Sequence, residues 1–134
     1  MIPLDEWERI INVNLLGVAR GNLVLLPHLL AQGMGHVIST ASVSGLLAHG
    51  FDRLGHVATK HTDVGLTEAL ALYLCPRGIG VTCLCPSGVI TNIAEQVNVF
   101  GEPAVPRSPD HPWSKPRSSA SPSQARSSTA AFSS

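Results

Sequence analysis

The apolar positions of residues 1–100 change period along the chain, from helical to extended and back. Apolar residues recur at three- and four-residue spacings after Asp5, which can cap a helix N-terminus. This stripe consists of Ile11, Asn14, Leu15, Val18, Asn22, Leu25 and Leu29. The spacing predicts a helix over residues 5–31 that ends at Gly33 and is weakened in its last turns by Pro27.

Two extended runs and a second helix follow. Residues 36–40 are rich in β-branched side chains and predict a strand. Helical spacing over 54–74 predicts a second helix, terminated by Pro76, Arg77 and Gly78. Residues 79–85 are almost continuously apolar, which is typical of a strand in a parallel sheet covered on both faces. The order helix, strand, helix, strand predicts an α/β fold, a partial version of the doubly wound Rossmann-like type.

Composition divides the chain into two parts. Residues 101–134 contain six of the ten prolines and ten serines, whereas most aliphatic side chains lie in residues 1–100. A segment of this kind cannot bury enough apolar surface to offset the entropy of ordering its backbone. We therefore expect residues 1–100 to form the folded portion and residues 101–134 to be a disordered Pro/Ser-rich tail.

Charge and cysteine content narrow the class of protein. The formal net charge is zero and no cluster of Lys and Arg occurs, which disfavours a nucleic-acid surface. No apolar run approaches the roughly 20 residues that cross a bilayer, and no secretory signal layout is present. The odd number of cysteines (three) favours a reducing compartment. We therefore expect a cytoplasmic protein with no membrane or nucleic-acid partner.

Cys83 and Cys85 are the one pair of neighbouring residues with metal-ligand chemistry on a predicted strand. They could supply two ligands from one strand face. Because the chain shows no four-ligand spacing, buried thiols are the favoured interpretation and no metal site is expected.

Polar residues cluster where each predicted strand ends. Residues 39–45 follow the first strand and residues 86–91 follow the second. In open α/β sheets, ligands bind beyond the carboxyl ends of the strands. His56 and Lys60, near the start of the second helix, are four residues apart and share one helix face.

In order and spacing, these residues resemble the motifs of the short-chain dehydrogenase/reductase family, over residues 3–91. The matching pieces are Asn14-Leu15-Leu16-Gly17, Leu26-Pro27, Ser42 with Gly45, His56 to Lys60 in place of Tyr-x-x-x-Lys, and Pro86 to Thr91 in place of Pro-Gly-x-x-x-Thr. Ser87 stands where that last motif has its glycine. The chain is thus similar to the catalytic portion of the family.

The resemblance implies interconversion of a small carbonyl and its alcohol with NAD or NADP. It implies that Ser42 hydrogen-bonds the substrate oxygen, that Lys60 holds the nicotinamide ribose, and that Asn14 holds a water of a proton relay. A cofactor-binding turn is implied at Pro86, Gly88, Val89 and Thr91.

Two departures from the family pattern lower the expected activity. His56 occupies the position of the proton-transferring Tyr, and Tyr73 lies too far along the helix to replace it. Imidazole, with a pKa of about 6.5, can exchange protons near neutral pH. However, its ring is shorter than a phenol, and a displacement of about 1 Å can cost on the order of a hundredfold in rate.

The second departure concerns the glycine-rich turn that holds a dinucleotide pyrophosphate at a helix N-terminus. The two candidates, Gly33-Met34-Gly35 and Gly78-Ile79-Gly80, each follow a predicted helix instead of preceding one. We therefore expect a truncated relative with weak cofactor binding and little or no catalysis.

Two alternatives remain open. The chain could be a non-catalytic pseudoenzyme or fragment that self-associates through helices 5–31 and 54–74, since the resembled family forms dimer contacts with the matching helices. The change in composition after Gly101 also fits a gene that is truncated at its start and frame-shifted near its end. The substrate and the choice between NAD and NADP are left open.

Overall fold

The computed structural model describes residues 1–48, 53–89 and 129–133. In chain order the elements are α1 (Leu4–Ile11), a π-helical turn (Asn12–Leu16), α2 (Gly17–Gln32), β1 (Gly35–Thr40), a 3-10 turn (Val43–Gly45), α3 (Leu54–Leu74), a second 3-10 turn (Cys75–Arg77), β2 (Ile79–Pro86) and β3 (Thr129–Ser133). The predicted alternation of helices and strands over residues 5–85 is confirmed.

The first helical segment ends at Gly33 as predicted, but its start differs from the prediction. Asp5 does not cap it, because Pro3 takes the capping position and its carbonyl accepts the amide of Trp7 at 3.2 Å. Asp5 lies instead in the first turn, where a carboxylate favours the helix dipole. The helix also continues through Pro27 to Gln32, since residues around the proline pack against the core.

β1 and β2 pair in parallel, from Gly35 opposite Ile79 to Thr40 opposite Leu84. This parallel pairing across a helical connection is the defining feature of an α/β fold. It also brings the carboxyl ends of the two strands to one edge of the sheet.

β3 pairs antiparallel with β2 and lies inside the segment predicted as a disordered tail. Composition did not predict this strand at Thr129–Ser133, because an edge pairing of this kind rests on backbone hydrogen bonds to the open side of β2. The rest of that segment, residues 101–128 and 134, lies outside the described residues.

The core lies between β2 and α3. Ile79, Val81, Cys83 and Cys85 alternate along β2 and are buried, whereas the residues between them are half-buried. Leu74 of α3 packs against Ile79 and Val81. The expectation that β2 is buried on both faces is therefore wrong for the described residues: α2 and α3 cover one face, and the β2 side chains on the other face are only half-buried.

The helical segment from Leu4 to Gln32 buries little of its apolar surface. None of its residues is fully buried, and only Leu26, Leu29 and Leu30 pack against the core. By length and composition alone this 29-residue segment could cross a membrane, a criterion that core helices of soluble proteins also meet; the sequence expectation rested instead on the absence of an uninterrupted apolar run. Polar residues at positions 12, 14, 20 and 22 interrupt such a run without ending the helix.

Candidate active site

The loop after β1 carries Ser42 to the edge of the sheet. The Ala41 amide donates to the Leu84 carbonyl at 2.8 Å, so the parallel pairing extends one residue past β1. Ser42 then adopts an extended backbone, and its Oγ accepts the Ser44 amide at 3.1 Å. A hydroxyl that accepts one hydrogen bond retains its own O–H donor, which is the group a carbonyl substrate needs.

The 3-10 turn behind Ser42 packs directly on α3. Gly45 is buried, and a Cβ at this position would overlap the backbone carbonyl of Lys60 and lie 2.9 Å from Val64 Cγ2. Only a residue without a side chain permits this approach. The contact fixes the Ser42 loop relative to the helix turn that carries Lys60.

Lys60 reaches from α3 to the carboxyl end of β1. Its Nζ donates to the Thr40 carbonyl oxygen at 3.1 Å and to Asp63 Oδ2 at 2.9 Å. The lysine side chain is 16% exposed and the aspartate side chain 2%. The ammonium therefore lies at the strand edge predicted to bind a ligand.

Asn14 is joined to the same helix from the π-helical turn. Its Nδ2 donates to Thr59 Oγ1 at 3.1 Å, and the Thr59 hydroxyl lies 2.9 Å from the Gly55 carbonyl oxygen that it can donate to. Single π-helical turns within α-helices occur frequently at functional sites. Asn14 thus contacts α3 at Thr59, the residue that precedes Lys60.

His56 is half-buried on α3, one turn before Lys60. Burial lowers the pKa of His56, and the positive charges of Lys60 and Arg53 lower it further, while Asp63 opposes them. The imidazole is therefore neutral at neutral pH, which makes it a better proton acceptor than donor.

The neighbouring cysteines lie side by side in the core. Cys83 Sγ and Cys85 Sγ are 3.8 Å apart, and both residues are buried. Burial, followed by the contact with Cys85, raises the pKa of the Cys83 thiol to about 11. Within residues 1–48 and 53–89, no group of three or more His, Cys, Asp or Glu side chains is placed to hold a metal ion.

The described residues fit the nicotinamide ribose of a dinucleotide, but they do not fit its pyrophosphate. Ser42 and Lys60 lie at one sheet edge with Pro86, the end of β2, and exposed Gly88 and Val89 continue from it. Thr91, the last residue of the predicted cofactor turn, lies outside the described residues. This edge suits the nicotinamide ribose, which offers hydroxyl groups to an ammonium.

The pyrophosphate side has no matching feature in the described ranges. Gly33 and Gly78 have φ angles of 69° and 78° and end helices, so they do not direct amides toward a phosphate. The prediction that these glycines are helix stops is confirmed.

Comparison with known proteins decides the family. A family model described as short chain dehydrogenase matches residues 1–100. The chain belongs to this family. The short-chain dehydrogenase fold also accounts for the parallel β1–β2 pair.

Several members of the family are about one-third identical to this chain over the aligned residues. It is 36% identical over 94 residues to a D-beta-hydroxybutyrate dehydrogenase of Rhizobium meliloti, covering 70% of this chain and 36% of that protein. It is 36% identical over 101 residues to a (-)-trans-carveol dehydrogenase of Rhodococcus erythropolis, with 74% and 36% covered. A solved 3-oxoacyl-(acyl-carrier protein) reductase from Brucella melitensis superposes with a TM-score of 0.65 at 32% identity, with 73% and 36% covered.

The chain therefore spans about a third of the length of the relatives it matches. These relatives are named for different compounds, so family membership supports oxidoreductase chemistry without fixing a substrate.

The structure brings the predicted residues of α3, the π-helical turn and the Ser42 loop together, and it adds two site residues that the sequence did not predict. Lys60, His56 and Asn14 meet on or against the first turns of α3, and Ser42 lies in the loop packed on it. Thr59 and Asp63 were missed. Their signal is weak: polar residues at four-residue spacing normally indicate a solvated helix face.

Proposed function

We propose that this chain is the substrate and nicotinamide side of a short-chain dehydrogenase that interconverts a small carbonyl compound and its alcohol with NAD or NADP. The observation that carries the proposal is the placement of Lys60. Its ammonium lies against the Thr40 carbonyl at the carboxyl end of β1, with the Ser42 loop packed on the same helix turn.

Each site residue has a role that its contacts support. The Ser42 hydroxyl donates to the substrate oxygen, and Lys60 binds ribose hydroxyl groups. Asn14, held by Thr59, orients a water that passes protons to solvent. When bound, the nicotinamide accepts or supplies the hydride.

His56 takes the position of the group that exchanges the substrate hydroxyl proton. Because its pKa is lowered by burial and by Lys60, it accepts a proton from an alcohol more readily than it donates one to a ketone. We therefore propose that any residual activity favours alcohol oxidation, and that turnover by this chain is very low, because a histidine stands where the family has its proton-transferring tyrosine and because residues 1–48 and 53–89 contain no turn that matches a pyrophosphate site.

Cofactor binding provides the first test. Saturation-transfer NMR of the purified chain with NADH and with NADPH measures contact with the nicotinamide and adenine protons separately. We expect signals from the nicotinamide and ribose protons that disappear in Lys60→Gln and persist in the control Arg77→Gln, which removes a positive charge at the far end of α3. Equal signals in wild type and Lys60→Gln would contradict the proposal.

Catalytic turnover provides the second test of the proposed function. We expect His56→Tyr to raise the rate of NAD(P)-dependent alcohol oxidation above that of wild type, and adding Ser42→Ala to remove the gain. Clear turnover by the unmodified chain against a panel of ketones would overturn the proposed low activity.

A second candidate function, self-association, is favoured by the exposed apolar surface of α1 and α2. Leu4, Val13, Leu23, Val24 and Leu25 are each more than half exposed. Exposed apolar surface of this kind commonly marks an interface. The outer side of β1 is also unpaired within the described sheet, in which β1 is the edge strand.

Sedimentation velocity tests this candidate. We expect wild type to form a dimer that Leu23→Arg weakens, while Met34→Arg, which alters an equally exposed residue outside the helices, leaves the dimer intact. A folded, strictly monomeric wild type excludes the interaction function.

A further inference from the structure

Asp63 is a buried carboxylate that the motifs of the family do not account for. Its side chain is 2% exposed, and its Oδ2 receives the Lys60 ammonium at 2.9 Å. Its Oδ1 is buried without a hydrogen-bond partner among the described residues. Its charge is close enough to help raise the pKa of the Cys83 thiol, which belongs to an apolar cluster with Ala41, Val64 and Cys85.

Packing does not explain a carboxylate at this position. Removing a charge from water is costly, and an apolar residue of similar volume is often as stabilising as a buried ion pair, or more so. One unpartnered oxygen raises that cost further. A side chain that stabilised only the fold would therefore be apolar here, which directs attention to what Asp63 does to Lys60.

We propose that Asp63 is a positioning residue for Lys60, whose ammonium it fixes against the Thr40 carbonyl at the carboxyl end of β1. The inference rests on the proposed role of Lys60 in binding the nicotinamide ribose. A lysine ammonium has three donors on a flexible stem. Asp63 and Thr40 take two of them, so the third is held in a fixed direction at the strand edge for a ligand hydroxyl.

The chain offers a direct readout, because Lys60 and Lys115 are its two lysines. Trace acetylation of the native chain with acetic anhydride, followed by mass spectrometry, gives the ratio of acetylated Lys60 to acetylated Lys115. We expect Asp63→Asn to raise this ratio roughly tenfold, since a hydrogen bond to a charged group holds the ammonium in wild type. Glu68→Gln removes an exposed carboxylate from the same helix and should leave the ratio unchanged.

A second measurement separates positioning from a structural role. With lysine-selective 15N labelling, the Lys60 Nζ signal should be visible in wild type and Glu68→Gln and lost by fast exchange in Asp63→Asn and Asp63→Val. Both Asp63 variants should keep a cooperative thermal transition, because the Lys60 ammonium lies at the sheet edge and can turn toward solvent once the carboxylate is removed.

Unchanged acetylation ratios in folded Asp63 variants would overturn the proposal. Failure of both variants to fold would also overturn it, by assigning Asp63 to stability. Neither measurement contains cofactor or substrate, so these results stand whether or not the chain binds NADH or NADPH.

Discussion

α3 and the α1–α2 segment are both rich in apolar residues, yet they use them differently. α3 buries six residues, half of them polar: Gly55, Thr59, Asp63, Val64, Thr67 and Leu74. The α1–α2 segment fully buries none, although its apolar side chains are larger. Composition therefore does not determine which helix contributes most to the core.

The difference follows from what each helix faces. α3 lies against the buried face of β2, where the side chains alternate inward, and its first turns also receive Asn14. α2 contacts the sheet through one stripe near its C-terminal end and is otherwise open. Of the polar residues that α3 buries, Asp63 contacts Lys60 and Thr59 contacts Asn14, so the well-packed region and the candidate site coincide.

The largest expected effect on the free energy of unfolding comes from truncating a buried leucine of α3, with an exposed leucine of α2 as the comparison. Leu74→Ala removes a side chain that is 0% exposed between Ile79 and Val81, and should lower the free energy of unfolding by about 2–5 kcal/mol. Leu23→Ala, at a position 76% exposed, should change it by less than about 0.5 kcal/mol. Urea denaturation followed by circular dichroism measures both, and equal losses would contradict the comparison.

Alanine substitutions at two glycines should change the stability by intermediate amounts and with opposite signs. Gly45→Ala forces a Cβ into the Lys60 backbone and should cost about 1–3 kcal/mol, besides displacing the Ser42 loop. Gly21→Ala meets no atom within 4 Å on α2 and should stabilise the chain by up to about 1 kcal/mol through helix propensity. Thermal unfolding of the two variants checks the signs, and a stabilising Gly45→Ala would show that the loop does not press on α3.

The smallest effect is the pH dependence that His56 confers on α3. Its pKa is lowered in the folded chain, so on acidification the unfolded chain binds this proton first. Folding stability should therefore fall as pH decreases through about 6.5, the ordinary histidine value. His56→Gln should lose less stability than wild type between pH 7.5 and 5.5 in urea titrations, and an equal loss in the two proteins would contradict the prediction.

The fold was predictable where the hydrophobic period and the terminating Pro and Gly residues indicate the same element. Residues 54–74 show helical spacing and are stopped by Pro76 and Gly78, and α3 occupies exactly that range as Leu54–Leu74. Residues 79–85 are apolar and β-branched, and β2 covers them. Local propensity and tertiary packing favour the same structure in both segments.

The site was predictable only as far as motif spacing reaches. Spacing identified Asn14, Ser42 and Lys60, but the partners that hold them depend on long-range packing. Thr59 meets Asn14 across 45 residues, and the burial of Asp63 arises only once α3 is packed in the folded chain. β3 was missed for a related reason: its pairing partner, β2, is distant in sequence.

The parallel register of β1 and β2 has a consequence for how the chain acquires its structure. All of α3 lies between the two strands, so the first β1–β2 hydrogen bond closes a long loop before any sheet contact offsets the lost chain entropy. Topologies dominated by such distant contacts fold slowly. Until the strands meet, no sheet edge holds the Thr40 carbonyl against Lys60, and the candidate site is among the last features of the molecule to form.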